Sequence, residues 1–280
     1  MKVLWVFAHP EQASLSGALF AEGREALRDS GHRIETSDLY AMKWKAAVDA
    51  DDYENPGDEN QGDGRLVVTQ ASRQAYERGL LSPDVRAELA KLAWADVIVV
   101  QFPLWWYSVP AILKGWFDRV FVKGFAYGVG DPAHPGRTLR YGDGALAGKR
   151  VLTVVTIGSP EKALGPRGIN GQLDQLLFPL LHGTFWYVGL TVLDPVCVFG
   201  ADRLSNSGFQ AAAELLRTRL AGIATAEPIP YRYQNRGDYD DDLVLLPDHA
   251  AGRTGLGVHV DQSALFGQEV SPVEHVEQTE

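Results

Sequence analysis

Residues 96–110 read Asp96-Val97-Ile98-Val99-Val100-Gln101-Phe102-Pro103-Leu104-Trp105-Trp106-Tyr107-Ser108-Val109-Pro110. Such a continuous apolar run, flanked on both sides by helical patterns, is typical of a central strand in a parallel sheet, because that strand is buried on both faces. Three consecutive aromatic residues follow it. The stretch therefore predicts a central strand that ends in an aromatic loop at the edge of a sheet.

Other apolar runs alternate with amphipathic stretches along the chain. We predict strands at 2–8, 33–39, 96–102, 149–156 and 190–199, and helices at 14–30, 73–94 (with Ser82-Pro83 as a candidate break), 109–122, 171–188 and 205–224. Parallel strands need a helical crossover, so strict alternation indicates a doubly wound α/β fold with a five-stranded parallel sheet. No G-x-G-x-x-G motif follows the first strand, which favours the flavodoxin-like version over a dinucleotide-binding Rossmann half.

The acidity of the chain is concentrated at its C-terminal end. The formal charge is −10, and residues 225–280 hold 11 Asp and Glu against 3 Arg and no Lys. We expect a catalytic domain over 1–224, a long surface loop over 41–64, and an acidic, irregular C-terminal arm over 225–280 whose end, from about Gly267, is disordered. The negative charge argues against non-specific nucleic-acid binding.

The chain carries no predicted membrane or disulfide feature. No apolar run approaches the roughly 18 residues of a membrane span, and the first residues lack a secretory pattern, so we expect a cytoplasmic protein without stable membrane insertion. Cys197 is the single cysteine, so no metal-binding Cys cluster exists, and its flanks predict a buried, inert thiol on a strand.

Ligands of open parallel sheets bind outside the carboxyl ends of the strands. The loop after the first strand places Ser14 and Ser16 at a helix N-terminus, which favours an anion such as a diphosphate, although Ser14 could simply cap the helix. The aromatic loop after the third strand would suit a flat ring such as an isoalloxazine, or form an exposed interaction patch. The small residues of 156–159, after the fourth strand, would let backbone N–H groups approach the polar edge of a ring system.

These loops resemble those of the NAD(P)H:quinone oxidoreductases of the DT-diaphorase type, within the flavodoxin-like superfamily. The resemblance runs from about residue 3 to 224, with a fainter match at 255–259, and is densest over 101–121. Shared motifs are Ala8-His9-x-Glu11 with Ser14, Ser37-Asp38-Leu39-Tyr40-Ala41-Met42, Leu81-Ser82-Pro83-Asp84 and Phe125-Ala126-Tyr127.

The resemblance implies a homodimer with a flavin at each subunit interface. Implied cofactor-binding residues are His9, Ser14, Leu15, Ser16, Pro103, Leu104, Trp105, Trp106, Tyr107, Thr156, Ile157, Gly158 and Ser159. Trp106 and Tyr107 would form one wall of the substrate site, and Tyr127 and Tyr187 would complete it from the partner subunit. The long loop after Tyr40 and the C-terminal arm resemble the FAD-using branch, with FMN as the alternative.

The implied activity is a two-electron reduction of a quinone-like acceptor, or of a nitro or azo compound, with hydride from NAD(P)H by a ping-pong mechanism. One departure concerns the family's Tyr and His, which handle the charge of the reduced flavin: Leu164 and Asn170 stand there. Asn170 is the candidate catalytic residue, yet an amide cannot supply a proton near neutral pH. Either the proton step differs, or the acceptor is not a simple quinone.

Two other classes fit parts of the pattern. A flavodoxin-like one-electron carrier would need an exposed flavin edge, which the aromatic block and extra loops oppose. A regulatory subunit of a potassium-efflux system is the other, since such subunits carry similar Tyr107-Ser108-Val109-Pro110 and Phe125-Ala126-Tyr127-Gly128 blocks. The sequence does not distinguish NADH from NADPH as the donor.

Overall fold

The computed structural model describes residues 1–54 and 65–261. They form two compact units, the first ending at Ile229 and the second beginning at Pro230. The first unit extends beyond the predicted boundary at residue 224, because the Ile229 N–H still donates to the Val192 carbonyl at 2.8 Å. The predicted loop over 41–64 falls partly, and the predicted disorder after Gly267 entirely, outside the described residues.

The first unit is built on a parallel sheet. Its strands are β1 (Lys2–Phe7), β2 (Arg33–Asp38), β3 (Val97–Pro103), β4 (Arg150–Ile157), β5 (Thr191–Val192) and β6 (Val196–Phe199). The order is β2-β1-β3-β4, with β5 and β6 both paired to the outer edge of β4. This is the flavodoxin-like order and confirms the predicted fold. The predicted continuous strand over 190–199 is wrong in one respect: it breaks before Pro195, which has no N–H for the ladder.

Helices cover both faces of the sheet. They are α1 (Leu15–Asp29), α2 (Val68–Arg78), α3 (Pro83–Trp94), α4 (Ala111–Val120), α5 (Leu173–Leu180) and α6 (Asn206–Ala221). The helix predicted over 73–94 is interrupted where Ser82-Pro83 indicated a break: Pro83 begins α3, and α2 has already ended at Gly79, which is in the left-handed conformation. Pro110 caps α4 instead of lying in its first turn, and α5 continues into a π-helical turn, Leu181–Trp186. No helix within 1–54 and 65–261 has the length and apolar character to cross a bilayer.

The packing of α1 fixes the start of that helix beside the sheet. Trp5 of β1, Leu19 of α1 and Leu216 of α6 are fully buried in one core cluster. Gly23 lets α1 approach the strand, since a Cβ there would lie 2.2 Å from the Trp5 ring. The N-terminus of α1 is thereby held at the carboxyl end of β1.

A buried ion cluster ties the segment before residue 54 to α3 and α4. The Arg119 guanidinium donates to Asp52 at 2.8 Å and pairs with Asp84 at 2.7 Å, while Lys45 lies 3.2 Å from Asp52. The side chains of Arg119 and Asp52 are 1% and 3% exposed. We call these four residues the Arg119 cluster.

Cys197 lies on β6 and is half-buried. Burial raises the pKa of its thiol to about 12, so the thiol is protonated at neutral pH. Because thiolate is the reactive form, this agrees with the predicted inert thiol, although the residue is half-buried and not fully buried as predicted.

Candidate active site

A cleft of about 640 Å³ opens where the strands end. The loops that follow β1, β3, β4 and β6 all contribute to it. Its lining residues are His9, Ser14, Leu15, Ser16, Pro103, Leu104, Trp105, Trp106, Tyr107, Thr156, Ile157, Gly158, Ser159, Pro160, Leu164, Asn170, Ala201, Asp202 and Arg203. Every residue predicted to bind the cofactor therefore borders one cavity, together with Leu164 and Asn170.

The loop after β1 is shaped by the cap of α1. Ser14 Oγ accepts from the Gly17 N–H at 3.1 Å, donates to the Glu11 carbonyl at 2.6 Å, and lies 3.0 Å from His9 Nδ1. The hydroxyl of Ser14 is thus used to build the loop. What the loop offers an anion is the first turn of α1, whose backbone N–H groups lack partners within the helix.

Ser16 connects this loop to the end of β4. Its hydroxyl lies 2.8 Å from Thr156 Oγ1, and both residues are buried. Gln101 Nε2 donates to the Ser16 carbonyl at 2.7 Å, while its Oε1 accepts from Trp5 Nε1 at 3.0 Å. These buried bonds fix the floor of the cleft, and the Ser16 hydroxyl already has a protein partner.

The aromatic loop after β3 is a tight turn in an unusual conformation. Trp105 and Ser108 exchange two backbone hydrogen bonds, of 3.1 and 3.0 Å, across Trp106 and Tyr107. These two have φ values of 51° and 62°, in the left-handed region that Asn-Gly usually supplies in such turns. As a result the Trp106 side chain is 96% exposed and Tyr107 is half-exposed.

Asn170 bridges two of the loops. Tyr107 Oη donates to Asn170 Oδ1 at 3.1 Å, and Asn170 Nδ2 donates to Ser159 Oγ at 3.0 Å. Leu164 is buried in the cleft lining and carries no polar group. Of the two residues that the resemblance places at the family's Tyr and His positions, Asn170 alone is polar, and its amide contacts protein on both sides.

The turn Ala201–Arg203, at the end of β6, was not predicted to belong to the site. Asp202 Oδ2 would lie 2.9 Å from a Cβ on Gly158, so a side chain at Gly158 would meet this carboxylate. Asp202 and Arg203 are exposed, and in the described part of the chain neither forms an ion pair. Their signal was the end of the predicted strand at 190–199, where ligands of such sheets bind.

Tyr127 and Tyr187 do not line this cleft. The Tyr187 ring packs edge-on against Tyr141 at 5.2 Å between centroids, and burial raises the pKa of Tyr127. Their placement at the cleft of a partner subunit stays a prediction.

Comparisons with known proteins agree with this architecture. Residues 1–220 match a family model described as a flavodoxin-like fold, which defines the class of protein. The ribosyldihydronicotinamide dehydrogenase-like protein traD of Penicillium crustosum is 44% identical over 262 residues, 92% of this chain and 95% of its own. The human ribosyldihydronicotinamide dehydrogenase (quinone) is 38% identical over 233 residues, 82% and 94% of the two chains.

A solved structure extends the match to three dimensions. The crystal structure of a Klebsiella pneumoniae protein, a candidate quinone reductase, is 45% identical with a TM-score of 0.89, covering 93% of this chain and 100% of its own. The chain belongs to the flavodoxin-like quinone dehydrogenase family, as its motifs predicted.

Proposed function

We propose that this protein is a flavin-dependent reductase that passes hydride from NAD(P)H to a quinone-like acceptor, two electrons at a time. The observation that carries the proposal is the cleft: the loops that follow β1, β3 and β4, which the sequence predicts to bind a ligand, border one cavity beside the exposed Trp106 indole. The names of the relatives support the same reaction class.

The residues of the cleft fit a flavin. Its volume of about 640 Å³ lies within the range of roughly 300–1,000 Å³ of cofactor sites. The first turn of α1 offers N–H groups to a diphosphate, and Trp106 and Tyr107 offer aromatic surface to a ring. We favour FAD over FMN because of the long loop after Tyr40 and the C-terminal arm.

A bound flavin would supply the hydride chemistry, and the protein would supply the geometry. The 156–159 loop would present backbone N–H groups to the polar edge of the ring, while Trp106 and Tyr107 would position donor and acceptor in turn and exclude water. One face serving both substrates predicts ping-pong kinetics. We further propose a cytoplasmic homodimer in which the partner's Tyr127 and the partner's Tyr187 close the site.

The test begins with the purified protein and its visible spectrum, followed by identification of the released flavin. NADPH is then added without oxygen, and a simple benzoquinone is titrated in. We expect the flavin absorbance to bleach and then return after one equivalent of quinone. Ribosyldihydronicotinamide, named for the human relative, serves as a second donor and reports how far the site depends on the phosphates of NADPH.

Three outcomes would contradict parts of the proposal. Flavin that neither donor reduces would leave a carrier or a regulatory subunit as the better reading. Release of one-electron quinone products would overturn the two-electron step. Parallel lines in double-reciprocal plots support the ping-pong order, whereas intersecting lines overturn it.

A further inference from the structure

We propose that Asn170 is a positioning residue that holds the strained Trp106–Tyr107 turn in the conformation that lines the cleft. The inference deepens the proposed function and rests on it for its kinetic consequence. The carrying observation is the bridge from Tyr107 Oη through the Asn170 amide to Ser159 Oγ, with bonds of 3.1 and 3.0 Å.

The turn needs such support because its backbone is unfavourable. The left-handed region is unfavourable for residues other than glycine, and Trp106 and Tyr107 are adjacent residues of this kind. Packing does little to hold Trp106, whose side chain is 96% exposed. The two backbone bonds between Trp105 and Ser108 close the turn on itself, and the Trp105 ring lies 5.9 Å from the ring of His9. The hydrogen bond from Tyr107 to Asn170 connects the strained part of the turn to another loop of the cleft.

Asn170 can serve as an anchor because its own backbone is fixed. The Asn170 N–H donates to the Ala163 carbonyl at 3.0 Å, and Gly168 N–H donates to the Gly165 carbonyl at 2.9 Å. Gly168 lies so close to Ala163 that a Cβ would be 2.1 Å from the Ala163 oxygen. Ser159, the second partner of the amide, lies two residues after the end of β4 at Ile157. The bridge therefore fixes the position of the aromatic turn relative to the sheet.

The location of Asn170 between Tyr107 and Ser159 suggests a role for an amide at a position where the resemblance implies a protonatable group in the family. An Asn side chain has two N–H donors and a carbonyl with two lone pairs, and the bridge uses one of each. It orients the Tyr107 hydroxyl without exchanging a proton. Removing it would loosen a binding wall that contacts ground state and transition state alike, so KM should rise while kcat stays nearly constant.

The test is a double-mutant cycle on the flavin-loaded protein with Tyr107→Phe, Asn170→Leu and the double variant. A neutral hydrogen bond contributes about 0.5–1.5 kcal/mol, so each single variant should raise the KM for the quinone roughly 2- to 13-fold. If Asn170 acts through Tyr107, the double variant should be no worse than the worse single variant. Ser159→Ala should give a smaller rise in the same direction.

Ile169→Ala is the matched control, since this neighbouring side chain is 97% exposed and lies outside the cleft lining. It should leave KM unchanged. Single effects that multiply in the double variant would overturn the inference, as would a fall in kcat at constant KM, because Asn170 would then act on the chemistry itself.

A measurement independent of activity separates this inference from the proposed function. Urea unfolding of the wild-type protein, the two single variants and the double variant gives their unfolding constants. The bridge predicts that the effects of Tyr107→Phe and Asn170→Leu on the unfolding constant do not multiply in the double variant. If the two positions are coupled but NADPH does not reduce the bound flavin, the proposed function is contradicted and the bridge is still supported. Independent effects on unfolding would overturn the bridge whatever the activity.

Discussion

The Arg119 cluster and the cleft use polar side chains in opposite ways. In the cluster, Arg119 and Asp52 are almost fully buried, and their charged atoms contact one another. In the cleft, Trp106 projects into solvent, and Asp202 and Arg203 form no ion pair within the described residues. Both regions lie in the first compact unit, so the contrast is one of use within a single fold.

The difference distinguishes residues that stabilise the fold from residues whose exposed surface is available for binding. A buried charge must be paired, because an uncompensated one destabilises the protein strongly. Exposed aromatic surface held by a strained turn contributes little to stability and persists where it serves binding. Variants of the cluster should therefore change unfolding, and variants of the cleft should change ligand binding.

The largest effect on stability is expected from Arg119→Met. It leaves the Asp52 carboxylate buried with Lys45 as its remaining cation, and losing one partner of a buried pair costs about 3–5 kcal/mol. Urea unfolding measures the loss. Arg203→Met, the matched control in the cleft, should change the free energy of unfolding by less than about 0.5 kcal/mol. Equal losses in the two variants would erase the distinction.

Gly17→Ala sharpens the comparison from the side of the cleft. A Cβ at Gly17 would lie 2.0 Å from the Gln12 carbonyl oxygen, so the loop before α1 must shift. Overpacking of this kind costs about 1–3 kcal/mol, and if that cost falls on flavin binding we expect a roughly 5- to 150-fold loss of flavin affinity. Equilibrium dialysis of the protein against free flavin gives the constant. Gly222→Ala, where the nearest atom is 3.8 Å away, should bind flavin normally.

Trp106→Gly should gain stability and lose function. Glycine relieves the left-handed strain at φ 51°, which outweighs its greater unfolded-state entropy, for a net gain of about 1 kcal/mol. Loss of the indole should raise the KM for both substrates several-fold. Leu243→Gly is the control for the loss of the side chain, because Leu243 is also exposed with φ 64° but lies in the second compact unit. It should leave the KM values unchanged. A Trp106→Gly variant that is both less stable and fully active would contradict the interpretation of the turn.

The fold and most of the cleft were predictable for a simple physical reason. Buried parallel strands leave continuous apolar runs such as 96–102, and the ends of those runs locate the ligand edge of the sheet. The predictions failed where a single residue interrupts a pattern. Pro195 splits the last strand, and Gly79 ends α2 ahead of the break that Ser82-Pro83 indicated.

The geometry within the cleft was beyond the reach of local patterns. The residue types of Trp106 and Tyr107 do not predict a left-handed turn, because aromatic residues rarely adopt positive φ. The partnership of Tyr107 with Asn170 joins residues 63 positions apart. The contribution of Asp202 and Arg203 follows from the sheet topology, which places the end of β6 beside the loop after β4.

The smallest effect concerns Asp84, at the partly exposed end of the Arg119 cluster. Burial pushes the pKa of Asp84 upward, but hydrogen bonds from Arg119 and Ser82 outweigh it, and the net pKa is lowered. Its contribution to stability is therefore present above the unfolded pKa of about 3.9 and is lost as pH falls through the lower folded pKa. Because the Asp84 side chain is 43% exposed, Asp84→Asn should cost less than about 1 kcal/mol at pH 7.

Urea midpoints at pH 7, 5 and 3 test this linkage. The gap between the wild-type protein and Asp84→Asn should persist from pH 7 to 5 and shrink at pH 3. Asp202→Asn, the control in the cleft, should show no gap at any of the three values, because Asp202 has no ion-pair partner among the described residues. A difference in urea midpoint that widens on acidification would mean that Asp84 stabilises the fold in its protonated form. The Arg119–Asp84 ion pair would then not stabilise the Arg119 cluster through its charge.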